Sequence, residues 1–137
     1  MTASGATPIR LRHAVSPDSV RGATTEELRA RHLVEDLFVD GELHLVYSFE
    51  DRMVIGGAVP TARPLALLPA GPVNTEHFLS RREAVILHVG GGPGVVTVDG
   101  ERYELDARDC LFAGQGGRSV ELASASFNIP RPSARCP

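Results

Sequence analysis

Residues 71–90, GPVNTEHFLSRREAVILHVG, carry the pattern in this chain that comes nearest to a metal site. Gly71, His77, Glu83 and Gly90 fall at the spacing G-x5-H-x-X-x3-E-x6-G, with Leu79 at position X. Imidazole and carboxylate are suitable donors for a divalent cation. A catalytic metal needs about three protein ligands and one open position, where it activates water or polarises a carbonyl. His77 and Glu83 supply two ligands, and Leu79 supplies none. Two protein ligands rarely hold a metal against water. The pattern therefore allows a two-ligand site completed by water or a partner, but weighs toward a scaffold that keeps the spacing of a metal site and not the metal. Leu79 would fill the metal position, and Arg81 could pair with Glu83 inside.

The other chemistry-bearing residues are dispersed. His13 lies in a polar leader, His32 follows Arg31, and His44 and His88 lie in strand-like runs. None is spaced from another histidine as a ligand or catalytic pair, so each is read as a surface or satisfied core residue. The run GGGPG at 90–94 lacks the Lys-Ser/Thr of a phosphate loop and precedes a strand, so it reads as a turn. No G-x-S-x-G or Cys-His arrangement is present. The residues thus assign no catalytic, cofactor-binding or metal-ligating role. Cys110, in an apolar run, reads as a buried small hydrophobe, and Cys136 as an exposed thiol. The two do not form a C-x-x-C.

Composition narrows the class. The chain has 137 residues, 42% hydrophobic and 23% charged, with a net charge of −3, which fits one soluble domain with its own core. That charge gives no reason to expect nucleic acid or an anionic membrane as partner. All fourteen basic residues are Arg, scattered rather than clustered. No apolar run resembles a secretory h-region or a membrane span, which leads to a cytoplasmic expectation.

These residues must be positioned mainly by strands. Residues 1–23 are polar and small, with Pro8, Pro17 and Gly22, and read as an irregular leader or arm. Thr24 followed by Glu27 is a capping box, predicting a short helix from Thr24 that ends before Leu37. From Leu37 the signal becomes β. Asp40-Gly41 predicts a hairpin between LFV and LHLVYSF, and Asp99-Gly100 predicts a second one. Gly56-Gly57 marks a bulge or a close backbone approach. Residues 61–72, TARPLALLPAGP, read as a loop with room for a short edge strand. The stretch from Glu76 to Val89 reads as one strand. Alternation would then turn His77, Leu79, Arg81, Glu83, Val85, Leu87 and Val89 inward, and Phe78, Ser80, Arg82, Ala84, Ile86 and His88 outward. DCLFAGQGG and SVELASASF add two more strands, and 127–137 read as an irregular tail. Many short strands between Gly-rich turns predict an all-β barrel or sandwich.

The spacing at 71–90 resembles the first signature of the cupin family at four of its five fixed positions. The second cupin signature, G-x5-P-x-G-x2-H-x3-N, aligns with RDCLFAGQGGRSVELA. Arg108 then takes its first Gly, Gly114 its Pro, Gly116 its Gly and Ser119 its ligand His. The expected fold is a cupin-like jelly-roll β-barrel with a short N-terminal helix. Residues 24–126 would form a degenerate cupin domain.

More specifically, VYSFEDRMVIGGAVP and LSRREAVILHVGGG, with RHLVEDLF, GVVTVDGERYEL and RDCLFAGQGGRSVELAS in order around them, resemble the N-terminal half of 5-keto-4-deoxyuronate isomerase. That family is also named 4-deoxy-L-threo-5-hexosulose-uronate ketol-isomerase. The resemblance runs from the end of the leader to about Ser124. It implies a bicupin about twice this length, acting in pectin and uronate breakdown on a keto-deoxyuronate. It further implies a zinc site of three histidines and a glutamate in the second cupin half, and a homohexamer. The second half is absent from this sequence, so no zinc ligand is carried over to a residue here. Two expectations follow. The chain is the N-terminal portion of the isomerase, lacking the active site by itself, or it is a non-catalytic cupin module for assembly or metal-free ligand binding. Arg52 and Arg82 are the arginines to test against a substrate carboxylate, with surface salt bridging as their plainer role.

Overall fold

A computed structural model describes residues 8–125. The leader's first seven residues, the tail 127–137 and Cys136 lie outside the described residues. The elements run β1 (Ile9–Arg12), α1 (Pro17–Val20), α2 (Thr25–His32), β2 (Leu43–Ser48), β3 (Met53–Ala58) and β4 (Leu65–Ala66), then β5 (Ala84–Leu87), β6 (Gly94–Val98), β7 (Glu101–Leu105), β8 (Cys110–Ala113) and β9 (Val120–Ser124). The all-β class is as expected. The strands fall into three sheets, β1-β2-β3, β4-β9-β6-β7 and β5-β8, rather than one closed barrel.

Where the local chemistry is strong, the sequence expectations hold. Thr24 caps α2, accepting from the Glu27 backbone, while the Glu27 carboxylate accepts from the Thr24 backbone at 2.8 Å. That backbone bond, with the Thr24 hydroxyl, holds the Glu27 carboxyl below its usual range. No residue of α2 is buried, so the cap rather than a packed face defines this helix. Asp99 (φ 50°) and Gly100 (φ 84°) take the two left-handed positions of a type I′ turn, joining β6 to β7 with Val98 opposite Glu101. The Asp99 carboxylate also accepts the backbone N–H groups of Ser119 and Arg118, each at 2.8 Å. These two bonds, Ser119 first, lower its pKa.

Three readings are corrected. The leader is not irregular throughout. Ile9–Arg12 pairs in parallel with β2, Ile9 opposite Leu45, and Pro17–Val20 forms a turn of helix capped by Ser16. A four-residue strand bracketed by prolines gives too short an alternation to stand out. Asp40-Gly41 makes no hairpin: Leu37–Val39 is not a strand, and Asp40 forms only an isolated bridge with Val59. The hairpin partner of β2 is β3, reached through a turn in which Arg52 has φ 53°. Third, the 76–89 stretch is not one strand. Residues 75–81 are turns and bends, and β5 begins only at Ala84.

The Gly56-Gly57 reading resolves to close approach without a bulge, since β2 and β3 pair in unbroken register. A Cβ on Gly57 would lie 2.6 Å from the Leu37 carbonyl oxygen and 2.7 Å from the Leu37 Cβ. The loop before β2 therefore packs onto bare β3 backbone. Gly57→Ala is expected to lower unfolding stability by about 1–3 kcal/mol by forcing that loop away. Gly92→Ala, where a Cβ meets open space, serves as control and should cost little. Urea denaturation of the two variants checks this.

Candidate functional site

The core is built from Leu43, Leu45 and Tyr47 of β2, Leu65, Val96, Leu105, Ala113 and Val120 of the other strands, and Val73, Phe78 and Leu79 of the long connection. Leu79 is 1% exposed. Its carbonyl accepts the Gly116 N–H at 2.7 Å, and Gly117 lies so close that a Cβ there would be 3.2 Å from Leu79 Cδ1. Gly116 has φ 99°, which a side chain would resist. The turn that aligns with the second cupin signature is thus present, and it closes over Leu79 instead of over a ligand set.

Among the described residues, His77 and Glu83 make no ion pair with each other. The His77 segment is a tight turn: Thr75 Oγ1 donates to the His77 carbonyl at 2.6 Å, and Ser80 Oγ accepts the His77 N–H at 3.0 Å. The His77 imidazole lies 3.5 Å from the Glu76 carboxylate. Glu83 and Arg81 are both exposed, which removes the expected internal Arg81–Glu83 pair. Among the described residues, no three His, Cys, Asp or Glu side chains lie close enough together to hold a metal. The zinc that the resemblance implies belongs to the second cupin half, and the described residues at 71–90 supply no ligand set of their own.

The parity expectation fails because a turn interrupts the stretch. Phe78 and Leu79 are both buried although adjacent, as a turn permits and a strand does not. Beyond the turn the alternation has reversed. Ala84 and Ile86 pack toward the core, while Val85 and Leu87 face out at 68% and 57% exposure. On the paired strand Phe112, opposite Val85, is 61% exposed, and Cys110, opposite Leu87, is exposed rather than buried. Val89 is exposed as well. The outer face of β5–β8 is therefore an apolar surface.

Arg52 and Arg82 are brought together, though not as an anion clamp. Arg82 Nη1 donates to the Arg52 carbonyl at 3.1 Å, and its guanidinium carbon sits 5.3 Å from the centroid of the Tyr47 ring. His13 stacks on Phe49 with centroids 5.0 Å apart. His32 lies in the last turn of α2. His88 donates from Nδ1 to the Asp106 carbonyl at 3.1 Å, and its ring fills the space over Gly90 and Gly94. The GGGPG run is a bend that leads directly into β6, as expected.

One pairing escaped the sequence reading. The Glu42 carboxylate meets His44 Nε2 at 2.5 Å. The two residues are two apart on extended chain and share one face. They line a cleft of about 460 Å³ with Arg63, Pro8, Pro64 and Leu68. The readable signal was Glu-x-His at the start of a strand; nothing in the sequence indicated that Arg63 would join it.

No protein-family model matches the chain. Curated relatives do, and they carry the isomerase name that the sequence resemblance gave. The chain is 52% identical over 115 residues to a 4-deoxy-L-threo-5-hexosulose-uronate ketol-isomerase of Bacillus pumilus, covering 84% of this chain and 42% of the relative. It is 45% identical over 125 residues to the protein of that name from Shouchella clausii, covering 91% and 44%. With the one from Kineococcus radiotolerans it shares 47% identity over 114 residues, covering 83% and 40%. The chain thus spans about two fifths of the length of the curated relatives it matches.

Two outcomes test this geometry. Leu79→Ala is expected to cost about 2–5 kcal/mol in chemical denaturation, as a fully buried leucine does. Asp99 contributes stability above its unfolded pKa, and loses that contribution as pH falls through its depressed folded value. The melting-temperature gap between the wild type and Asp99→Asn should therefore be constant above about pH 5 and close below about pH 4.

Proposed function

We propose that this chain, similar to the 4-deoxy-L-threo-5-hexosulose-uronate ketol-isomerases over about two fifths of their length, is the N-terminal, non-catalytic portion of such an isomerase. The observation that carries the reading is Leu79, buried under the Gly116–Gly117 turn where a metal-binding version of the signature would present a histidine. The portion keeps the scaffold and contributes no metal ligand. The isomerisation would move a proton between adjacent carbons of a keto-uronate, and zinc, where bound, would supply polarisation of the carbonyl. In this reading the zinc is held by another portion of the enzyme. The reading carries a cytoplasmic location and a homo-oligomeric assembly with it.

The apolar outer face of β5–β8 supports a role in assembly. Val85, Leu87 and Phe112 form a contiguous exposed patch, and such patches mark surfaces that another domain or chain covers. This observation also favours a second reading, a cupin module that serves assembly alone. The two differ in whether the isomerase's remaining portion restores activity.

The expected result is no isomerisation of the keto-deoxyuronate by the purified chain, and activity when the whole-length relative is assayed in parallel. Turnover by the purified chain would contradict the non-catalytic assignment. Replacing the patch, as in Leu87→Lys with Phe112→Ser, should reduce self-association in sedimentation analysis while the circular dichroism stays unchanged. A wild-type chain that stays monomeric at high concentration would contradict the assembly role.

A further inference from the structure

The cleft beside the start of β2 combines features that the signature does not use. Glu42 and His44 lie on one wall, with the Glu42 carboxylate 2.5 Å from His44 Nε2. A carboxylate only accepts, so Nε2 carries the proton of that bond and the ring's orientation is fixed. Nδ1 is then directed elsewhere, and no hydrogen bond among the described residues engages it. Arg63 lines the same cleft, is exposed, and has no ion pair among the described residues. Pro8, Pro64 and Leu68 supply apolar wall. The volume, about 460 Å³, lies in the range of small-molecule sites.

Each feature selects a ligand property. A guanidinium without an ion pair favours a carboxylate, through a charge-assisted bond. An imidazole Nδ1 without another partner favours a hydroxyl, which donates to the neutral ring and accepts from the protonated one. Proline and leucine walls favour a C–H framework over a fully polar one. Glu42 disfavours a ligand of high negative charge, since a second anion beside its carboxylate is repelled. The geometry points to a binding site for a small monoanionic hydroxy acid, with Arg63 holding the carboxylate and His44 Nδ1, oriented by Glu42, hydrogen-bonded to a hydroxyl. Arg63 and His44 are binding residues, and Glu42 is a positioning residue. The site is independent of the isomerase reading, because it uses none of the residues at 71–90, and its failure leaves that reading untouched.

The test uses the full chain and gluconate as probe, followed by the imidazole NMR signals of His44. Sorbitol lacks the carboxylate, and hexanoate lacks the hydroxyls. The expected result is a saturable shift of the His44 signals with gluconate, and markedly weaker binding of sorbitol and hexanoate. Arg63→Gln, at an exposed position, should keep the fold and weaken gluconate by about tenfold or more. Glu42→Gln should broaden or move the His44 signals before any ligand is added, which a merely structural surface residue would not do. The inference is overturned if gluconate leaves His44 unmoved, if hexanoate binds as well as gluconate, or if Arg63→Gln binds it like the wild type.

Discussion

The contact between Leu79 and the Gly116–Gly117 turn determines most of what this chain can do. A fully buried leucine contributes about 1.5–3 kcal/mol. Here it also ties the long connection before β5 to the turn before β9, through the Gly116 N–H and the Leu79 carbonyl. Leu79 also stands at the sequence position where the resembling signature carries a histidine. The apolar side chain that seals the core removes the donor that chemistry would need.

From that contact the rest follows in order. With Leu79 and Phe78 both inside, residues 75–81 must turn rather than run extended. The turn shifts the alternation of β5, so Ala84 and Ile86 reach the core while Val85 and Leu87 face outward. Paired with Phe112, they form the apolar face read above as an assembly surface. The burial of Leu79 and the outward apolar face of β5–β8 are thus linked through the geometry of one turn.

What could be read in the sequence was what local chemistry decides. The Thr24–Glu27 capping box, the Asp99-Gly100 turn and the close approach at Gly57 each rest on a few adjacent residues, and each holds. The family resemblance was readable too, because it rests on long ordered stretches. What could not be read depends on distant packing. Strand β1 needs β2 to exist, Asp40-Gly41 lacks a first strand to turn from, and the parity of β5 depends on a turn set by Leu79. Cys110 followed the same error, since its face is opposite to the one an apolar run suggests. The Glu42–His44 pair was within reach of the sequence, but Arg63 in the same cleft was not.

The most direct test of the central claim is the metal content of the purified chain after incubation with zinc and removal of the excess, read by elemental analysis. The account predicts far less than one zinc per chain, and no change on His77→Ala. One tightly held zinc per chain, lost on His77→Ala, would contradict it and restore residues 71–90 as a working metal site.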